Sequence, residues 1–169
     1  MRNSILGAPR NYGDGIYVLS DDNRPSGGGH SIINNRVWGG WDGIGGDEEY
    51  ALHGGFDQDS MISGNVVSNC WDDGIQAEGG GHGVIVSGND VSRCGTGIAF
   101  AAPTTGPLAI TYNRIHDLTR GLLGNLNCFK VGEPTQAVTY LNHNDCEVDS
   151  PAEIGWPGAH HQPSQQVAD

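Results

Sequence analysis

One stretch decides the fold: Val84-Ile-Val-Ser-Gly-Asn89-Asp-Val-Ser92, followed by Thr96-Gly97-Ile98. Apolar and polar residues alternate up to the asparagine, and alternation with a period of two indicates a β-strand with one buried face. The strand-like segments are short and are broken so often by glycine and asparagine that no length is left for helices. The stretch therefore predicts short strands separated by tight bends.

The same pattern recurs along the chain, so the sequence is a repeat. Its asparagines are spaced by 30, 24, 24 and 29 residues, at Asn35, Asn65, Asn89, Asn113 and Asn142. A second signal, in which glycine precedes an aliphatic residue, occurs at Asp14-Gly-Ile16, Asp42-Gly-Ile44, Asp73-Gly-Ile75, Thr96-Gly-Ile98 and Arg120-Gly-Leu122. A base period near 24 with inserted loops fits one turn of a parallel β-solenoid. The leucine pattern of leucine-rich repeats is missing, and a propeller blade needs about 40 residues.

Each position of the repeat has a mechanical interpretation. Inward Ile and Val residues stack on their copies in neighbouring coils and build a core that no single coil can bury. The asparagine lies where the chain bends between sheets and can hydrogen-bond its copy in the next coil. Cys70 and Cys94 each follow their asparagine by five residues, which predicts that they stack on adjacent coils as small buried residues rather than as a disulfide. Inserted loops are expected at 20–30, 45–59 and 125–136.

Composition and charge exclude several classes of protein. Glycine supplies 28 of the 169 residues without a Gly-X-Y period, so the chain is not collagen-like. A net charge of −12 argues against nucleic acid and anionic membranes as partners, because both require a cationic surface. The four cysteines are too scattered for a disulfide scaffold. The N-terminus lacks the apolar core of a secretory signal. Three explanations are open: a signal has been removed, the protein is cytoplasmic, or the chain is cut from a longer one. We favour the last, and we favour an extracellular or periplasmic location.

The repeat resembles the right-handed parallel β-helix superfamily, which includes pectate lyases, polygalacturonases, alginate lyases and epimerases, and phage tailspikes. The resemblance covers roughly residues 12–155. It implies an all-β, right-handed parallel β-helix of about six coils over residues 1–155, with 156–169 as a tail without repeats. Because this fold carries hydrolases, lyases, isomerases and pure binders, it does not define a reaction.

The expected function is a carbohydrate-active or carbohydrate-binding protein that acts on an extended polysaccharide. The alternative is a non-catalytic structural or interaction module, or a fragment of a longer β-helix protein.

One segment is similar to the catalytic motifs of the polygalacturonase family. Asp72-Asp73 and Gly81-His82-Gly83 match that family's Asp-Asp and Gly-His-Gly motifs. The resemblance implies that the two carboxylates act as acid and base on a glycosidic bond, with His82 in an orienting role beside them. Glu78 lies five residues after Asp73, at an outward-facing position together with Gln76, and is a further catalytic candidate. Here only seven residues separate the motifs, whereas the family places them about one coil apart, and its Asn-Thr-Asp and Arg-Ile-Lys segments are absent.

Three aspartates occupy one position of the repeat in consecutive coils: Asp14, Asp42 and Asp73. Coils stack about 4.8 Å apart, so the carboxylates are expected to form a ladder. Like charges at that spacing raise one another's pKa or recruit a cation such as Ca²⁺. The alternative is that Asp-Gly is simply a favourable turn before a strand. In the next two coils the position is expected to hold Thr96 and Arg120.

The remaining candidates are aromatic and basic. Trp41 and Trp71 lie one coil apart in register and are expected to stack, either structurally or as a platform for sugars. Lys130, the single lysine, and Arg114 are candidates for a lyase base or a clamp on a uronate carboxylate. Arg120 is a further substrate-binding candidate. Whether the protein is a lyase, a hydrolase or no enzyme stays open. The abrupt first coil leaves an uncovered end, which predicts a homo-oligomer or a longer parent chain.

Overall fold

The computed structural model describes residues 4–6, 13–46, 51–100, 105–131 and 137–149, with only the backbone course of 4–6. Their strands form three parallel sheets. Sheet 1 contains β3 (Ser31–Ile33), β6 (Met61–Ser63), β9 (Val84–Ser87), β12 (Leu108–Thr111) and β15 (Thr139–Asn142). Sheet 2 contains β1 (Ser4–Leu6), β4 (Arg36–Trp38), β7 (Val66–Ser68), β10 (Asp90–Ser92), β13 (Arg114–His116) and β16 (Asp145–Cys146). Sheet 3 contains β2 (Ile16–Tyr17), β5 (Ile44–Gly45), β8 (Asp73–Gln76), β11 (Thr96–Ala99) and β14 (Asn127–Lys130).

The chain visits sheets 1, 2 and 3 in turn, so each visit to all three is one coil. The described residues give four complete coils, from β3–β5 to β12–β14, with a partial turn before and after them. The predicted all-β parallel solenoid is confirmed, but the predicted count of about six coils includes the two partial turns. No helix occurs among the described residues, so none of them forms a helix long and apolar enough to cross a membrane. The predicted tail, 156–169, lies outside the described residues.

The core consists of three columns of aliphatic residues, one from each sheet. In sheet 3, Ile44, Ile75 and Ile98 stack in register and are fully buried. The sheet 2 column is Val37, Val67, Val91 and Ile115, and the sheet 1 column is Ile32, Ile62, Val86 and Ile110. Each of these residues is buried against its copies in the neighbouring coils, as expected for a solenoid. Further buried residues, among them Val84, Leu108 and Phe129, complete the core.

The asparagine ladder lies at the bend between sheets 1 and 2. Asn65 Nδ2 donates to Asn89 Oδ1 over 2.9 Å and to the Ile32 carbonyl over 2.9 Å, and Asn89 repeats this arrangement one coil further on. At the end of the ladder, Asn144 takes the position, since Asn113 Nδ2 donates to Asn144 Oδ1. The predicted assignment to Asn142 is wrong, because that residue lies on β15 in register with Thr111.

Glycine is required in the repeated Gly-Ile step because the backbone passes close to the core at this point. A Cβ on Gly74 would overlap the side chain of Val91 and lie 2.7 Å from the Gly97 carbonyl oxygen. Gly43 and Gly97 are crowded in the same way by the next coil. The glycine therefore lets each strand of sheet 3 begin in close contact with the strand above it.

The cysteines divide into two pairs. Cys70 and Cys94 are free, buried and stacked on adjacent coils, as predicted, with the Cys70 N–H donating to Cys94 Sγ over 3.3 Å. Cys128 and Cys146 form a disulfide that joins β14 to β16. The repeat does not predict this bond, because the two residues occupy unrelated positions in it.

Candidate functional site

Asp14, Asp42 and Asp73 form one column at the start of sheet 3, as predicted. The isoleucine two residues after each aspartate pairs with its copy in the next coil. The column continues with Thr96, as predicted, and then with Asn127. It therefore changes from acidic to neutral along the solenoid axis.

The predicted place of Arg120 in this column is wrong, because Asn127 occupies it. The connection between β13 and β14 is longer than its counterparts, and β14 begins seven residues after Arg120 (127 − 120). Arg120 instead lies exposed in a turn, where Nη1 donates to the Gly124 carbonyl over 2.8 Å. The predicted loop at 125–136 is corrected for the same reason, since it contains β14.

The aspartates of the column accept hydrogen bonds from the backbone of the following coil. The Asp42 N–H donates to Asp14 Oδ1 over 3.2 Å, and the Asp73 N–H donates to Asp42 Oδ1 over 2.8 Å. Asp42 is 4% exposed and Asp73 is fully buried. These carboxyl groups are thus held in fixed positions, one oxygen each, by the repeat itself.

Burial has a strong effect on the central carboxyl group of the column. Desolvation raises the pKa of Asp42 to about 9, and the negative charge of Asp73 adds to this increase. The backbone N–H of Asp73 opposes it by favouring the charged form. In the protein alone, Asp42 is therefore protonated at neutral pH.

Lys130 joins Asp73 to Glu78. Its Nζ lies 3.4 Å from Asp73 Oδ2 and 3.0 Å from Glu78 Oε1, and both carboxylate side chains are fully buried. Gln76 Nε2 donates to the second oxygen of Glu78 over 3.0 Å. Burial raises the pKa of Asp73 to about 6, and the ammonium of Lys130 limits the increase.

Register explains how Lys130 reaches β8 from two strands away. Lys130 pairs with Ala99, and Ala99 pairs with Gln76. The small, fully buried Ala99 leaves room for the lysine side chain to cross β11. A long side chain at position 99 would occupy this path.

Asp72 completes the group. Its Oδ1 accepts a 2.6 Å hydrogen bond from Asn125 Nδ2, which also donates to Thr96 Oγ1 over 2.9 Å. One carboxylate oxygen from each of Asp42, Asp72 and Asp73 lies within 4.8 Å of the others, and all three residues are buried. We call these three residues the aspartate cluster. The predicted metal set was Asp14, Asp42 and Asp73, whereas the three carboxylates with this close spacing are Asp42, Asp72 and Asp73.

The tryptophans border the aspartate cluster. Trp41 and Trp71 immediately precede Asp42 and Asp72, and their ring centroids lie 6.2 Å apart at a tilt of 52°. Both are half-buried. The two residues are paired one coil apart as predicted, but their rings are tilted rather than stacked.

Two other predicted residues lie elsewhere. His82 is exposed at the corner between sheets 3 and 1, and its Nδ1 lies 2.8 Å from the Gly106 carbonyl oxygen. Arg114 lies on the outer face of sheet 2, where Nη2 donates to Glu147 over 2.9 Å. Thr96 was predicted as the next position of the aspartate column, but Asn125 and Gln76 were not predicted as members of the site. Nothing in the sequence around Asn125 indicates its contact with Asp72.

The architecture defines a class of protein: a parallel β-helix with buried carboxylates and one lysine on its third sheet. Residues 2–149 match the family model described as "Right handed beta helix region". The match covers most of the chain, and the protein belongs to this family. Neither a curated protein nor a solved structure matches the chain significantly.

Proposed function

We propose that this protein binds an extended polysaccharide along the outer face of sheet 3, with Lys130 as the main contact. The observation that carries the proposal is the position of this ammonium group. Lys130 lies at one end of an outward row, its side chain is 22% exposed, and it contacts the fully buried carboxylates of Asp73 and Glu78. A cation fixed in this way can contact a ligand at little further cost in side-chain entropy.

The row that ends at Lys130 follows the solenoid axis at the strand spacing of about 4.8 Å, as a linear polymer requires. Its members are Tyr17, Gly45, Gln76, Ala99 and Lys130. Gly45 and Ala99 are buried, so the accessible contacts are Tyr17, Gln76 and Lys130. Tyr17 is 43% exposed and provides an aromatic surface for a sugar ring, while Gln76 provides an amide.

Charge narrows the choice of polysaccharide. The net charge of −12 repels polyuronates over long range, and Arg114 and Arg120 lie apart from Lys130 rather than forming a basic strip with it. The favoured ligand is therefore a neutral glycan, or an acidic one whose carboxylates are bridged by a divalent cation.

Catalysis is the more demanding form of this proposal, because it requires a substrate to reach the buried carboxyl groups of Asp42 and Asp73. Asp42 and Asp73 have pKa values of about 9 and about 6, and pairs of carboxyl groups separated in this way divide into an acid and a base. Lys130 is the candidate to contact a uronate carboxylate in a lyase.

A structural module is the competing proposal, and one observation favours it. Asp14 and Asp42 already serve as acceptors for backbone N–H groups of the next coil. Carboxylates with this role need no substrate to explain them.

A glycan array of neutral and acidic polysaccharides, with and without Ca²⁺, decides between the proposals. Lys130→Gln is expected to weaken any binding at least tenfold, whereas Arg120→Gln, an exposed cation away from the row, is expected to leave it unchanged. Each bound glycan is then assayed for unsaturated products by absorbance at about 235 nm, as expected for a lyase, and for new reducing ends. Absence of binding to every glycan would leave the structural module.

The compartment is part of the proposal. Disulfides persist in secreted and periplasmic proteins and are rare in the cytosol. The Cys128–Cys146 bond therefore supports an extracellular or periplasmic location, where polysaccharides are accessible.

A further inference from the structure

We propose that the aspartate cluster, Asp42, Asp72 and Asp73, is a binding site for one divalent cation of the size of Ca²⁺. The inference depends only on these carboxylates and their surroundings. It therefore holds or fails independently of the proposed polysaccharide.

Distance is the first argument. Ca²⁺ binds oxygen ligands at about 2.3–2.6 Å, so ligands on opposite sides of one ion lie up to about 5 Å apart. The cluster offers one oxygen from each of three residues, all within 4.8 Å of one another. Mg²⁺, at about 2.0–2.1 Å, limits that separation to about 4.2 Å. The observed spacing suits the larger ion.

The way in which the carboxylates are held is the second argument. Each has one oxygen engaged by a protein donor. These contacts are Asp73 N–H to Asp42 Oδ1, Asn125 Nδ2 to Asp72 Oδ1, and Lys130 Nζ to Asp73 Oδ2. Outer contacts of this kind orient the ligands of metal sites.

A buried atom without a partner is the third, independent argument. Asp73 is fully buried, yet its Oδ1 accepts no hydrogen bond. An unsatisfied carboxylate oxygen in such a place is costly unless a proton or a cation compensates it. The second oxygen of the same group contacts Lys130 Nζ over 3.4 Å, so Oδ1 is the oxygen that an ion would satisfy.

The local balance of charge points the same way. Asp42, Asp72, Asp73 and Glu78 are each at most 8% exposed, and Lys130 is the cation that contacts this group among the described residues. Even with Asp42 protonated, the other three carboxyl groups outnumber the one ammonium, and a divalent ion would reduce this deficit of positive charge. The donors are all carboxylate oxygens, which favours a hard cation over a transition metal.

Terbium luminescence is the direct test, because Trp41 and Trp71 lie beside the cluster and can sensitise a bound Tb³⁺ ion. The purified full chain, treated with EDTA, is titrated with Tb³⁺ under excitation of tryptophan. We expect saturable emission that Ca²⁺ displaces, and we expect Ca²⁺ alone to raise the melting temperature. The double variant Asp42→Asn/Asp72→Asn is expected to bind Ca²⁺ at least tenfold more weakly.

The double variant is expected to fold, because an asparagine at position 42 or 72 retains the oxygen that accepts the existing hydrogen bond. Circular dichroism confirms that they fold. Asp145→Asn, which removes an exposed carboxylate of sheet 2, is the matched control and is expected to leave Ca²⁺ binding unchanged. The proposal is overturned if Ca²⁺ changes neither the emission nor the melting temperature of the native chain. It is equally overturned if the control loses as much affinity as the double variant.

Discussion

The backbone N–H of Asp73 donates a 2.8 Å hydrogen bond to Oδ1 of Asp42, one coil earlier in the solenoid. Both residues are buried, so this bond has no water to replace it if the acceptor is lost. The carboxyl group of Asp42 therefore has a structural role that does not depend on any ligand. This structural role and the proposed role as a metal ligand can be separated by comparing Asp42→Asn, which keeps an oxygen acceptor, with Asp42→Ala, which does not.

Asp42→Ala is expected to destabilise the fold by about 1–3 kcal/mol, because it leaves the buried Asp73 N–H without an acceptor. Asp42→Asn keeps an oxygen at the same place and is expected to retain most of that stability. Urea denaturation in the presence of EDTA measures both variants without any contribution from metal. Equal losses for the two variants would contradict a role for the Asp73–Asp42 hydrogen bond.

The asparagine ladder gives a second prediction. Asn89→Ala removes a buried amide that donates to Asn113 Oδ1 and to the Ile62 carbonyl and accepts from Asn65. We expect a loss of at least about 2 kcal/mol, since several buried partners are left unsatisfied. Asn142→Ala, outside the ladder, is the control and is expected to change stability by less than about 0.5 kcal/mol. A similar loss for both variants in urea denaturation would argue against the ladder register.

These two asparagines show what sequence could and could not provide. The period of the Asn and Gly-Ile signals was sufficient to predict the strands, the aspartate column and the stacking of Cys70 on Cys94. Prediction failed where the repeat is locally irregular: Asn144 rather than Asn142 ends the ladder, and Asn127 rather than Arg120 continues the column. A change of a few residues in one connection moves the register without altering the local pattern.

The site itself was predicted only in part, for a different physical reason. Repeat positions bring Asp42 and Asp73 together, because they differ by one coil. The contacts of Lys130 cross two strands, and Asn125 reaches Asp72 from an irregular connection 53 residues away. Such contacts depend on side-chain length and loop geometry, which the repeat does not encode.

His116 predicts a pH dependence of stability. Its ring nitrogens lie 3.1 Å from Asp90 Oδ1 and 2.9 Å from Asp117 Oδ2. Burial lowers the pKa of His116, but the hydrogen bonds to these two carboxylates outweigh it and the net pKa is raised. A raised pKa means that the stabilising contribution is fully present below the ordinary histidine pKa of about 6.5 and is lost as pH rises through the folded-state value.

We therefore expect His116→Gln to be more destabilising at pH 5.5 than at pH 9, as measured by urea denaturation at both values. His143→Gln is the control, because the His143 ring contacts the Asn142 side-chain oxygen and Tyr112 rather than a carboxylate. A cost for His116→Gln that does not change with pH would show that its carboxylate contacts contribute nothing.

The four cysteines are expected to react as two classes. Unfolding without reductant should expose two thiols, Cys70 and Cys94, to alkylation, and reduction should raise the number to four. The pair Cys128→Ala/Cys146→Ala is expected to lower stability by about 3 kcal/mol, because the disulfide closes a loop with a sequence separation of 18. Intact mass after alkylation measures the first expectation, and urea denaturation measures the second. Four alkylated thiols without reductant would exclude the disulfide.

The last prediction concerns Lys130, which contacts Asp73 and Glu78. Lys130→Met leaves two buried carboxylates without their ammonium group, and breaking such a buried pair costs about 3 kcal/mol or more. Once Glu78 has been replaced by Gln, one of these charges is gone, so the same Lys130→Met change is expected to cost less. The coupling in this double-mutant cycle is expected to be about 0.5–3 kcal/mol.

Urea denaturation at pH 7 in EDTA measures all four proteins, and Arg120→Met, at an exposed turn, is the control. Strict additivity, or a loss for Arg120→Met as large as that for Lys130→Met, would show that the lysine is an ordinary surface residue rather than the counter-ion of the site.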